Sequence, residues 1–167
     1  SSYGKKTHYY KLIRDLVDLN KQGEFNLNLK YFNHYMFHKP KYYNEFLINY
    51  LKTKPNEDGQ NLKKKYFNIA FAAQQVFEEI YYYLINNLYK KNKSENLVLS
   101  GGCALNCVAN GKILMKSKFK KVFVPPVPDD SGAGLGAAYY VSNKILKTKK
   151  KYFMAHNYLG PSFSNKQ

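Results

Sequence analysis

The chain has 167 residues and a formal net charge of +16, which is long enough for one domain with a real core or for a piece of a larger one. Such a charge raises a phosphate-bearing partner, yet Arg14 is the only arginine and arginine is the residue that grips phosphate and guanine bidentately, so the balance argues against nucleic acid and for a solvated lysine surface. No apolar run reaches the roughly 18 residues of a membrane span, and Cys103 and Cys107, the only cysteines, sit too close together to frame a disulfide fold, which points to a reduced, cytoplasmic setting with no membrane partner.

In chain order, "YYKLIRDLVDL" (9–19) spaces Leu12, Ile13, Leu16, Val17 and Leu19 as a short amphipathic helix. "GEFNLNLKYF" alternates Phe25, Leu27 and Leu29 with polar residues, the period of a half-buried strand. Residues 39–59 are polar and broken by Pro40 and Pro55, a loop carrying one short helix over 43–51. From Tyr66, Ile69, Ala73, Val76, Ile80, Leu84 and Leu88 recur every three or four residues, which predicts a long helix with a wide apolar face. After "KNKSEN" follow a strand at "LVLS" (97–100), the turn Gly101-Gly102, a helix over 104–115, a strand at "KVFVPP" (121–126) and a helix over 132–146. Strand, helix, strand, helix behind a long helix is an α/β pattern. "KTKKKY" (147–152) reads as a solvated joint, and the Gly, Pro and Ser of "YLGPSFS" as a loop leading onward, so the expectation is a piece of a longer chain.

Two places could carry chemistry. Ser100, Gly101 and Gly102 close the first strand of this unit; bare backbone there lets a phosphate or ribose approach while the next helix presents free N–H groups, and Asn106 adds an amide that donates and accepts. The alternative is that the glycines only permit a tight turn and close packing. The second place is "PVPDDSGAGLGAA", where Asp129 and Asp130 end a strand and precede Gly132, Gly134 and Gly136. An acidic residue at a helix start can simply cap, but a carboxylate beside bound phosphates can also hold a cation.

Taken together, "LVLSGGCALNCVANGKIL", "FKKVFVPPVPDDSGAGLGAAYY" and "YLGPSFS", with "SSYGKKTHYYKLIRDLV", "GEFNLNLKYFNHY" and "NIAFAAQQVFEEI" upstream in the same order, resemble the nodulation-type and antibiotic-type O-carbamoyltransferases. The resemblance covers almost the whole chain. It implies part of an actin-like ATPase, ribonuclease H-like α/β domain: a helical and strand region over 1–65, a nucleotide-binding core over 66–146, and a linker over 147–167 towards a further C-terminal domain. It implies an enzyme that uses ATP and carbamoyl phosphate to make carbamoyl-adenylate and passes the carbamoyl group to a hydroxyl of a small acceptor, inactive in this piece without the remainder of its own chain. Carried onto this sequence, Gly101, Gly102 and Asn106 line the nucleotide, joined by Ser100 and Gly132 on either side, and Asp130 is the catalytic ligand of an iron-type divalent metal, with Asp129 as its substitute.

His34 and His38 are four apart in "HYMFH", the spacing of paired ligands on a helix. In the family such a pair lies well before the block matched by "SSYG", so the expectation here is two surface residues. His8 and His156 have no partner at ligand spacing, and Cys103 and Cys107 are expected as packed thiols. Two other readings stay open: a transfer-RNA threonylcarbamoyl transferase-like protein, for which the basic charge would matter, and a non-catalytic basic interaction module.

Overall fold

A computed structural model describes residues 3–56, 59, 63–148, 158 and 160–164. The joint expected at 147–152 and the onward loop lie mostly outside the described residues, as does His156. The chain divides into two compact units, Ser1–Lys93 and Ser94–Gln167.

In the first unit a short helix α1 (Tyr9–Arg14) leads into a hairpin of β1 (Val17–Leu19) and β2 (Phe25–Leu27). The strands are antiparallel, with Val17 opposite Leu27 and Leu19 opposite Phe25. The single helix expected over 9–19 therefore stops at Arg14. Leu16 and Val17 are buried, and a β-branched Val17 that finds a strand partner gains ladder hydrogen bonds that a helix of eleven residues cannot offset alone. The hairpin turn is held by Asn20, whose side-chain oxygen accepts from the amides of Gln22 and Glu24 at 3.1 and 3.0 Å. The strand expected from Phe25 to Leu29 is shorter than its alternation suggests: Leu29–Tyr31 form a 3-10 turn capped by Asn28, and Phe25 and Leu27 stand exposed.

Helix α2 (Glu45–Leu51) falls within the expected 43–51, its first turn capped by the Asn44 side chain accepting from the Phe46 amide at 3.0 Å. Helix α3 (Lys64–Asn92) is the predicted long helix, and it begins two residues before Tyr66. It buries Ala72, Val76 and Ile85, and Val76 meets Leu16 and Val17 in the core, ringed by Ile13, Tyr31 and Leu47. α3 lies in the first compact unit, Ser1–Lys93. A polar clamp reinforces α1 on α3. Arg14 Nε donates to Glu79 Oε1 at 2.6 Å, the Tyr10 hydroxyl donates to Glu79 Oε2 at 2.7 Å, and Arg14 also donates to the Val17 carbonyl at 2.5 Å. Burial pushes the Glu79 carboxyl up, but the hydrogen bonds from Arg14 and Tyr10 outweigh it and hold the pKa below the ordinary glutamate value.

In the second unit β3 (Asn96–Val98) pairs in parallel with β4 (Lys121–Phe123), Leu97 opposite Val122 and Val98 opposite Phe123. The segment between them is not the one helix expected over 104–115. It is a 3-10 turn Gly102–Leu105, a turn of helix α4 (Cys107–Asn110) and another, α5 (Ile113–Lys116), which lies against β4. Asn106 leaves helical geometry (φ −75°, ψ 84°) and its side chain accepts from the Ala109 amide at 3.0 Å, while the Asn110 side chain donates to the Ala104 carbonyl at 2.7 Å. Asparagines that satisfy backbone groups locally compete with continuous helix. Ladder pairing stops at Phe123 rather than at residue 126, since Pro125 and Pro126 have no N–H to donate. Helix α6 (Ala133–Tyr140) continues into a π-helical turn, Val141–Ile145, closed by the Leu146 amide donating to the Val141 carbonyl at 2.9 Å, together spanning most of the expected 132–146. The architecture is mixed α/β with two small sheets among the described residues, and no described helix is long and apolar enough to cross a membrane.

Candidate functional site

Parallel pairing of β3 and β4 carries both strand ends to the same edge of the second unit, where ligands collect in open α/β sheets. The Leu99 amide donates to the Phe123 carbonyl at 3.0 Å, extending the pairing by one residue. The chain then turns. Gly101 has φ +92°, a conformation that costs any side chain, and its amide donates to the Pro128 carbonyl at 2.6 Å. The Ser100 hydroxyl donates to the same carbonyl at 3.2 Å. A loop from Val124 to Asp129 is thereby tied to the Ser100-Gly101 turn.

The glycines here are not equivalent. A Cβ at Gly132 would collide with the Val127 carbonyl oxygen, so this glycine is required by the loop packed on it. Gly101 is required by its backbone angle, with open space around it. Gly102 has neither reason: its φ is ordinary and nothing described lies within 4 Å of the position a Cβ would take. Turn geometry accounts for the first glycine of the pair, while Gly102, like Gly134 and Gly136, has open space around it among the described residues.

Asp129, half-buried, occupies the cap position of the 3-10 turn Asp130–Gly132, but its side chain makes no capping hydrogen bond, and Asp130 is exposed one residue on. Capping therefore does not occupy the Asp129 carboxylate. A cavity of about 620 Å³ opens between these segments, lined by Ser100, Gly101, Asp129, Asp130 and Gly132 on one side and by an apolar wall that includes Phe123, Leu135 and Tyr139. Four of the predicted positions, Ser100, Gly101, Asp130 and Gly132, thus come together. Gly102 and Asn106 do not line the cavity, and the Asn106 side-chain oxygen is engaged in capping α4. Pro128 and Tyr139 were not legible as site residues; the signal that could have pointed to Pro128 is the proline density of "PPVP", where a carbonyl accepts while its own nitrogen donates nothing.

Two carboxylates in a partly apolar recess suit a hard cation through oxygen. No group of three or more His, Cys, Asp or Glu side chains able to hold a metal occurs among the described residues. His34 and His38, in the first unit, are both exposed and lie in a non-helical segment, so a spacing of four places them on no common helix face, and the His34 ring packs edge-on against Tyr35 at 5.6 Å. Cys103 and Cys107, expected as packed thiols, are both exposed, because the broken helix turns them away from the buried Ala104 and Ala109.

The family model of the carbamoyltransferase N-terminus matches residues 1–139. An uncharacterized protein of Synechocystis sp. is 34% identical over 99% of this chain and 27% of its own length. The nodulation protein NolO of Bradyrhizobium diazoefficiens is 30% identical over 65% of this chain and 20% of its own length, and the nodulation protein NolNO of Sinorhizobium fredii is 28% identical over 64% and 16%. The chain spans about a quarter or less of the length of these relatives. Both blocks that frame the cavity, the Ser100-Gly101-Gly102 turn and the Asp129–Gly132 segment, fall inside the matched region, and the chain belongs to the carbamoyltransferase N-terminus family.

Proposed function

We propose that this chain is part of an ATP-dependent carbamoyltransferase, a cytoplasmic enzyme with an actin-like ATPase domain, that transfers a carbamoyl group from carbamoyl phosphate, through carbamoyl-adenylate, to a hydroxyl of a small-molecule acceptor. The observation that carries the reading is the cavity that joins the Ser100-Gly101 turn to Asp129 and Asp130, inside the region matched by the carbamoyltransferase family model. Backbone without side chains lets an anionic, labile adenylate approach fixed N–H donors that need not reorganise. Asp130 is the ligand offered to a divalent metal such as iron, which when bound polarises the oxygens of the reacting group. What this chain's own residues supply is position: the acceptor hydroxyl must be held against a carbonyl carbon, and positioning is the larger part of that barrier.

The test uses the full-length protein with ATP, carbamoyl phosphate and a divalent cation. Pyrophosphate release that requires carbamoyl phosphate, matched by one orthophosphate as water cleaves carbamoyl phosphate and the freed carbamate displaces pyrophosphate from ATP, is the expected signature of adenylate formation. Asp130→Ala is expected to lower that rate at least about 100-fold while the thermal transition stays within a few degrees, because the residue is exposed. Undiminished pyrophosphate release in Asp130→Ala would remove the metal role from this residue.

A further inference from the structure

We propose that Ser100 is a positioning residue: it acts through the Pro128 carbonyl to hold the Asp129–Asp130 segment against the glycine turn, rather than by touching a ligand. The inference rests on the reading of the cavity as the nucleotide and cation site, and it reassigns a residue that the sequence places among the ligand contacts.

Three observations carry it. The Ser100 hydroxyl is committed as a donor to the Pro128 carbonyl at 3.2 Å, next to the Gly101 amide that donates to the same oxygen at 2.6 Å. A carbonyl has two lone pairs, and both are used here by adjacent residues of one turn. The accepting residue, Pro128, is buried and directly precedes Asp129, so any movement of that carbonyl moves the carboxylates. On the far side Gly132 lies against the Val127 carbonyl with no room for a Cβ, and its amide donates to the Asp129 carbonyl at 3.0 Å. Between Pro128 and Gly132 stand only Asp129, Asp130 and Ser131. The segment bearing the carboxylates is therefore pinned at both ends, and Ser100 is the one side-chain hydrogen bond in the pinning among the described residues. A proline-rich loop needs such a tie, since Pro125, Pro126 and Pro128 cannot donate to a ladder of their own.

The experiment compares wild type, Ser100→Ala and Ser100→Thr as full-length proteins. Amide exchange by mass spectrometry over residues 127–135 tests the tie itself. Ser100→Ala is expected to speed exchange there by about 2- to 10-fold, the worth of one hydrogen bond, and Ser100→Thr, which keeps the hydroxyl, to restore it. Steady-state kinetics tests what the tie does: Ser100→Ala is expected to raise the half-saturating divalent-cation concentration and lower kcat by about 2- to 10-fold, with the KM for ATP unchanged and threonine again restoring both. Unchanged exchange in Ser100→Ala overturns the proposal. So does a rise in the KM for ATP with kcat and cation dependence unaltered, the pattern of a lost direct contact. Failure of the underlying reading is seen separately, on a variant with Ser100 intact: if Asp130→Ala leaves cation dependence untouched, Asp130 holds no metal, and the tie is then decided by the exchange result alone.

Discussion

Gly132 and Gly134 lie two residues apart in one glycine-rich run and have opposite reasons for being there. Gly132 sits where a Cβ would strike the Val127 carbonyl, whereas Gly134 faces open space in the first turn of α6. Gly132→Ala is expected to destabilise by about 1–3 kcal/mol, as overpacking does, and Gly134→Ala to stabilise by up to about 1 kcal/mol, as alanine does in a helix. Urea unfolding of the two variants against wild type measures both; a neutral Gly132→Ala would mean that the loop yields. Asn106 allows a similar separation. Its side-chain oxygen caps α4, and serine keeps that acceptor while removing the amide donor. If the amide also reaches the nucleotide, Asn106→Ser is expected to retain the thermal transition and to weaken ATP binding several-fold by calorimetry, while Asn106→Ala loses about 1 kcal/mol of stability as well.

Among the elements, the clamp of α1 on α3 gives the fold a defined response to acid. Glu79 is held below its ordinary pKa, with burial opposing and the hydrogen bonds from Arg14 and Tyr10 prevailing. A carboxyl whose folded pKa is depressed contributes stability above its unfolded pKa and loses it as pH falls through the folded value. The acid limb of stability is therefore expected to begin below pH about 4.3, the ordinary glutamate range, and Glu79→Gln to flatten it. The effect is about 1 kcal/mol or less, because both partners remain partly open to solvent. Thermal melts between neutral pH and pH 3 measure it, and an unchanged acid limb in the variant would assign the loss to other carboxylates. The same scale shows why helix α3 was legible and the hairpin was not. A run of 29 residues repeats its apolar period often enough to speak for itself, whereas Val17–Leu19 is three residues long and becomes a strand only because Phe25–Leu27 comes back beside it.

For the whole molecule, the charge of +16 resides on a chain with a single arginine, and a solvated lysine surface remains its plainest meaning. The full-length protein is expected to show no saturable transfer-RNA binding at about 150 mM salt, where surface electrostatics are largely screened. Tight binding with a steep salt dependence in a filter or fluorescence titration would instead favour a nucleic-acid acceptor. The second unit also leaves Val98 and Phe123, paired across its sheet, 68% and 52% exposed, although parallel sheets are ordinarily covered on both faces. By itself the sequence determined what depends on near neighbours: the long helix, the short one over 43–51, the two glycine-bearing blocks and the family they resemble, since period and turn residues act within a few positions. Only the tertiary structure decided which glycine is bare for the fold and which is not, and that Ser100 meets Pro128 across 28 positions. Those facts follow from the parallel register of β3 and β4, and a register is a property of two strands together, carried by neither one alone.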